Sequence, residues 1–165
     1  MSVGLAAKAL APKVHVGYLI LGAYSIDVVW LACYLIGLEA FPSGSAPVDP
    51  AFYSHSLVMS TLWSILFGAI AGWLEKSRRI GVVFGLLVFS HWVVDLISHP
   101  MTAFFPADTG LPLAFQGSWL IGIRLYRDKF VANLCEYGSF VAGLAIYVGT
   151  RLWMWRRQRM VIGTQ

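Results

Sequence analysis

Long apolar runs constrain this chain most, because each is long enough to cross the hydrocarbon core of a lipid bilayer. The 165 residues are 58% hydrophobic and their mean hydropathy is +0.70, whereas soluble domains are about 45–50% apolar. This pattern predicts an all-α integral membrane protein, with four transmembrane helices packed as a compact bundle in one domain. The predicted spans cover residues 14–38, 56–74, 80–99 and 130–154.

The connection between the third and fourth predicted spans is the longest one. It covers residues 101–129 and carries several aromatic residues and prolines. Connections in compact domains are usually about 4–6 residues long, and much longer ones are commonly functional. We expect this outward loop to lie on the membrane surface or to fold over the bundle as a lid.

Basic residues are distributed unequally between the two sides that these spans define. One side holds nine of the twelve Lys and Arg residues, near the N terminus, in the second connection and at the C terminus. The positive-inside rule therefore predicts a multi-pass protein with both termini in the cytoplasm. The pI near 9.3 then reflects topology and contact with anionic membrane lipids. No base-reading module is present, so nucleic acid is not an expected partner.

The third span contains three ionisable residues at four-residue spacing, namely His91, Asp95 and His99. Side chains at this spacing lie on one stripe of a helix. Ionisable groups at membrane depth are costly and usually mark a transport pathway, a proton relay or a metal site. The structural alternative is that the imidazoles bind backbone carbonyls or cap the helix end before Pro100.

Other predicted spans also place polar groups in the outer half of the bundle. Asp27 lies in the first span, His55 opens the second, and Glu136 lies in the fourth. A straight-helix rise puts His55 and His99 at the outer interface, Asp95 about 6 Å deep, Glu136 about 9 Å, His91 about 12 Å and Asp27 about 16 Å. Each has a structural alternative: Asp27 could pair with a Tyr hydroxyl, His55 could sit at a helix start, and Glu136 could join a local hydrogen-bond cluster.

The stripe in the third span has the spacing of a metal half-site. A catalytic zinc ion usually takes three protein ligands and leaves one position for water. His91 with Asp95, or Asp95 with His99, can reach one ion, whereas His91 and His99 are about 12 Å apart along the axis. Either one metal uses half of the stripe, or two metals share Asp95.

Three segments give the chain a family resemblance: Asp27 in the first apolar run, Tyr53–Leu57, and Phe89–Leu96. Together they resemble the YdjM-like metal-dependent hydrolases of the bacterial inner (plasma) membrane. The resemblance implies metal-site roles for Asp27, His55, His91 and Asp95, with His15 as a further candidate. An Asp-rich element of that family is reduced here to Asp27.

The resulting functional hypothesis is a membrane-embedded hydrolase that uses a divalent metal, with zinc favoured. It would act near the outer leaflet on a lipid-linked or phosphate-containing substrate. The metal ligands would be His55, His91 and Asp95, with Asp27 completing the set. The catalytic acids and bases would come from Asp27, Glu136 and His99. A substrate phosphate or lipid headgroup would bind Arg124, Arg127 and Lys129.

Two other classes of protein remain open at this stage. The chain could be a non-catalytic transmembrane subunit or assembly factor of a larger membrane complex, with structural polar groups. It could also be a four-helix haem protein, for which only the His55 and His99 pair lies at suitable depth.

Overall fold

The computed structural model describes residues 1–40, 51–98 and 129–162, and their regular secondary structure is entirely helical. A single 3-10 turn, Ala7–Ala9, follows the first helix. The α-helices are α1 (Ser2–Ala6), α2 (Val16–Ala23), α3 (Ser25–Leu35), α4 (Phe52–His55), α5 (Leu57–Leu74), α6 (Arg78–Ser98) and α7 (Lys129–Ile162).

Three helices, α5, α6 and α7, are long and apolar enough to cross a membrane. The predicted first span is instead a bent pair, because α2 and α3 meet at an angle of 55°. Tyr24 leaves helical geometry at the junction, and the Ser25 hydroxyl donates a hydrogen bond back to the Leu21 carbonyl at 3.0 Å. Such back-bonding bends helices. Within residues 1–40, 51–98 and 129–162, a fourth span therefore exists only if the bent pair crosses the membrane as one unit.

The N-terminal residues form an additional helical segment beside this bent pair. At one end of it, the Met1 amino group donates a hydrogen bond to the Tyr24 hydroxyl at 3.1 Å. At the other end, the Arg79 guanidinium donates to the Leu10 carbonyl at 3.2 Å. α1 therefore runs antiparallel to α2, and it also packs against α7. This short helix joins α7 to the rest of the described structure.

Helices α5 and α6 form the closest helix pair, joined by a tight turn. Lys76 has a φ of 48°, and two backbone bonds, from Lys76 to Trp73 and from Ser77 to Gly72, close the turn. This is a Schellman ending with lysine in the position that glycine usually takes. The pairing holds α6, and with it two candidate ligands, firmly against α5.

A small apolar core lies next to the candidate site. Ile26, Val88 and Trp92 are buried together, with partly buried side chains from α5 and α6 around them. Ile26 precedes Asp27, and Trp92 follows His91. Burial of these neighbours anchors both backbones, so that the two polar side chains are held on adjoining helices.

Candidate metal centre

Four of the predicted site residues converge on one point between α3, α4 and α6. His91 Nε2 lies 3.2 Å from Asp27 Oδ1 and 3.2 Å from Asp95 Oδ2. His55 Nε2 lies 3.5 Å from the same Asp27 oxygen and 3.6 Å from the same Asp95 oxygen. Two imidazole nitrogens and two carboxylate oxygens thus face one another across a small space.

The separations match those between ligands that share one ion. Ligand atoms about 2.0–2.1 Å from a tetrahedral ion lie about 3.3–3.4 Å from one another. The four nitrogen–oxygen distances in the cluster, 3.2 to 3.6 Å, bracket that value. Asp27, His55 and His91 each offer a ligand atom within 4.8 Å of the other two, so these three residues could hold a metal ion.

The straight-helix depth estimate for Asp27 was wrong relative to His55. It separated these two residues by about 16 Å along the bundle axis, yet their side chains are 3.5 Å apart. The estimate assumed a straight first span. In the structure, the 55° bend comes just before α3, and Asp27 lies in the first turn of that helix. The bend therefore directs Asp27 towards the short helix that carries His55.

His55 reaches the cluster because it does not belong to the long helix of its span. It ends the short helix α4, and Ser56 then adopts an extended conformation before α5 begins. The Ser56 hydroxyl accepts a hydrogen bond from the Met59 amide at 3.2 Å and so caps α5. The two serines around His55 are completely buried, so this kinked segment packs into the protein.

The four-residue spacing of His91 and Asp95 places both side chains on one face of α6, 3.2 Å apart. From one face of the helix His91 contacts Asp27 and Asp95 contacts His55, and the two side chains also contact each other. The other ring nitrogen of His91, Nδ1, lies 2.8 Å from the Ala23 carbonyl oxygen. A carbonyl only accepts hydrogen bonds, so Nδ1 carries a hydrogen, and in the neutral ring the lone pair is then on Nε2. The expected carbonyl contact thus occurs, and Nε2 of the same ring faces the two carboxylates.

The second imidazole is held by a partner that the sequence analysis missed. Ser54 Oγ lies 2.7 Å from His55 Nδ1 and donates to Glu39 Oε2 at 2.8 Å. Glu39 Oε1 accepts a further bond from the Ser54 amide at 2.8 Å. The available signal was Gly37, which with a φ of 77° ends α3 and places Glu39 just beyond the predicted outer end of the span.

Both imidazoles therefore present Nε2 to the cluster and bind protein groups through Nδ1. Histidines that ligate metals almost always donate their second ring N–H to a carbonyl, carboxylate or water. His91 does so directly, and His55 does so through a serine and a carboxylate. This shared arrangement distinguishes the cluster from a chance meeting of four polar side chains.

Among the four side chains of the cluster, Asp27 is the most exposed. The imidazoles of His55 and His91 are 10% and 14% exposed, and Asp95 is 20% exposed. Asp27 is 46% exposed. A water molecule or a substrate would therefore approach along the Asp27 side, because the other three groups are largely covered by protein.

Other predicted site residues lie away from the cluster or outside the described residues. Glu136 and Lys129 are exposed on α7, which packs against α1 and the 3-10 turn. The structure therefore does not bring Glu136 to the imidazoles. His15 caps the far end of α2, where its Nδ1 accepts a hydrogen bond from Gly17. The predictions for His99, Arg124, Arg127 and the lid lie outside the described residues.

Comparison with protein-family models, with curated proteins and with solved structures finds no match for this chain. The geometry of the four side chains is therefore the basis for assigning a function.

Proposed function

We propose that this protein is a metal-dependent hydrolase embedded in a bacterial inner membrane, related to the YdjM-like enzymes. Its substrate is lipid-linked or contains phosphate, and the reaction takes place in the outer half of the bilayer. One observation carries this proposal. Two imidazoles, each tied through Nδ1, direct Nε2 at two carboxylates across distances that suit a single bound ion.

Zinc is the proposed ion, because imidazole and carboxylate ligands at these separations suit its tetrahedral coordination. His55, His91 and Asp95 would hold it, since these are the three most enclosed groups of the cluster. Bound zinc supplies a Lewis acid and lowers the pKa of a bound water to about 7. Asp27, the most exposed of the four groups, would act as the general base.

The distribution of basic residues supports the proposed orientation of the site in the membrane. Arg79 bonds to Leu10, and a cavity is lined by Ala9 and Pro12 together with Thr150 and Trp153 of α7. The three basic segments of the chain thus lie near one another. By the positive-inside rule this end faces the cytoplasm, whereas the Met1 amino group lies at Tyr24, nearer the cluster. His91 is twelve residues beyond Arg79 along α6, about 18 Å away, which supports a position of the cluster towards the outer leaflet.

Metal analysis of the purified protein tests the proposed centre. We expect about one zinc ion per chain in the wild type, and loss of most of it in His91→Ala and in His55→Ala. His15→Ala is the matched control, because His15 only caps α2. Imidazolium–carboxylate ion pairs have similar distances, so a folded wild type that takes up no divalent metal would contradict the proposal.

A hydrolysis assay tests the reaction separately from metal binding. The substrates are a long-chain alkyl phosphate ester in detergent micelles and the soluble p-nitrophenyl phosphate. We expect zinc-loaded wild type to hydrolyse the alkyl ester, and a chelator or His91→Ala to abolish that activity. Stoichiometric zinc without hydrolysis of either ester would instead favour the non-catalytic subunit considered above.

A further inference from the structure

Glu39 is a buried carboxylate whose two hydrogen-bond donors, among the residues that the structure describes, belong to a single residue. It is 7% exposed, and its two oxygens accept hydrogen bonds from the amide and the hydroxyl of Ser54, each at 2.8 Å. Burying a charged group is costly unless it is fully hydrogen-bonded. Ser54 is next to His55, so the buried charge lies close to one histidine of the candidate metal centre.

Glu39, Ser54 and His55 form a hydrogen-bonded relay. The direction of each hydrogen bond in it follows from which groups can donate. An ionised carboxylate only accepts, so the single hydroxyl hydrogen of Ser54 points to Glu39. The Ser54 oxygen is then left to accept from His55 Nδ1, 2.7 Å away. The hydrogen of the neutral imidazole is therefore held on Nδ1, and the lone pair on Nε2 faces Asp27 and Asp95.

A carboxylate, a serine and a histidine in contact could suggest a serine nucleophile, but the geometry excludes that role for Ser54. Ser54 is completely buried and occupies the middle of the relay, between the carboxylate and the imidazole. A nucleophilic serine lies at the end of such a series and is exposed to substrate. The relay therefore acts on the orientation and tautomer of His55.

We propose that Glu39 is a positioning residue which, through Ser54, holds His55 in the tautomer that binds a divalent cation through Nε2. This inference rests on the proposed metal centre. Its effect is specific to one of the two histidines, because His91 Nδ1 donates to the backbone carbonyl of Ala23. A backbone carbonyl is unaffected by substitution of Glu39, so His91 serves as an internal control.

Replacing Glu39 by glutamine keeps the size of the side chain but reverses the direction of the hydrogen bonds in the relay. The glutamine oxygen can still accept from the Ser54 amide, but its NH2 group must then donate to the Ser54 oxygen. The serine hydroxyl in turn donates to His55 Nδ1, which moves the imidazole hydrogen to Nε2. A protonated Nε2 has no lone pair for a metal ion. We therefore expect zinc affinity to fall about 10–100-fold in Glu39→Gln.

The experiment combines zinc titration with nitrogen NMR of histidine-labelled protein in detergent micelles. Spectra of the metal-free protein are recorded over a range of pH and report which ring nitrogen carries the hydrogen in the neutral imidazole. In the wild type we expect both histidines to be protonated on Nδ1. In Glu39→Gln we expect His55 alone to change to Nε2, while His91 keeps its tautomer.

Ser54→Ala is the second variant, since it removes the relay but retains Glu39 and His55. We expect its zinc affinity to fall about 10–100-fold as well, with the His91 signals unchanged. The inference is overturned if His55 keeps its wild-type tautomer in Glu39→Gln, or if zinc affinity in both variants stays within twofold of the wild type. A wild type that binds no zinc would instead refute the proposed metal centre, and the tautomer spectra would still report the role of Glu39.

Discussion

The two carboxylates of the cluster contact the same imidazole nitrogens but differ in their surroundings. Asp95 shares α6 with His91 and is 20% exposed, whereas Asp27 belongs to α3 and is 46% exposed. A group that is enclosed and carried by the same helix as another ligand is well held for binding an ion. An exposed group at the open side is better placed for proton transfer.

Substitution of each carboxylate by its amide should therefore have different effects. We expect Asp95→Asn to lose most of the bound zinc, because an amide oxygen is a much weaker ligand for this ion. We expect Asp27→Asn to retain zinc but to reduce the rate of ester hydrolysis about 10²–10⁴-fold, the usual contribution of a general base. Zinc content and hydrolysis are measured on the same preparations.

The control for this pair is Glu75→Gln, which removes a carboxylate at the far end of α5 and should change neither measurement. Equal zinc loss in Asp27→Asn and Asp95→Asn would contradict this division of roles and would make both carboxylates ligands.

Close packing of α5 against α6 depends on glycine at facing positions. A Cβ atom on Gly81 would lie 2.8 Å from the Gly68 carbonyl oxygen, and one on Gly85 would lie 2.9 Å from the Ser64 carbonyl oxygen. Real Cβ atoms do not approach backbone so closely, so a side chain here must separate the helices. Small residues allow such close approach where no hydrophobic force drives association within the membrane.

The contact predicts opposite effects for the same substitution at two glycines. Gly81→Ala should lower the free energy of unfolding by about 1–3 kcal/mol, because the added methyl group overpacks a backbone contact. Gly138→Ala, on α7, should raise it by up to about 1 kcal/mol through helix propensity, since nothing lies within 4 Å of its added Cβ. Denaturant unfolding in detergent measures both changes. A Gly81→Ala protein as stable as Gly138→Ala would contradict the packing described here.

At the scale of the whole molecule, the candidate centre links segments that are distant along the chain. Its four side chains come from α3, α4 and α6, and no two of these helices are joined by a short turn. An ion held by His55 of α4 and by His91 and Asp95 of α6 would bind only the folded arrangement. Ligands that bind only the native state stabilise it by mass action, by about 2.7 kcal/mol at a concentration 100 times the dissociation constant.

Removal of the metal should therefore lower thermal stability. We expect a chelator to reduce the Tm of the wild type and added zinc to restore it, as followed by circular dichroism at a series of temperatures. His91→Ala should have a low Tm that neither treatment changes. A wild type whose Tm is identical with chelator and with excess zinc would contradict a centre that links these helices.

Sequence alone determined the features of this protein that depend on local chemistry. Hydropathy over about 20 residues predicted membrane-spanning helices, and three helices of sufficient length and apolarity were found. The four-residue spacing of His91 and Asp95 predicted that they would share one helical face, because a helix repeats every 3.6 residues. Both contact the same cluster.

Only the tertiary structure decided how the other predicted groups, Asp27 and His55, reach that pair. The 55° bend before α3 directs Asp27 inwards, and the extended Ser56 sets His55 apart from α5. Glu39 bonds to a residue fifteen positions away. Bends, kinks and contacts between distant segments depend on packing of the whole chain, which no local periodicity encodes. The residues of the cluster were therefore predictable from spacing and from the family resemblance, whereas the bends that bring Asp27 and His55 to α6, and the bonding of Glu39 to Ser54, were a property of the fold.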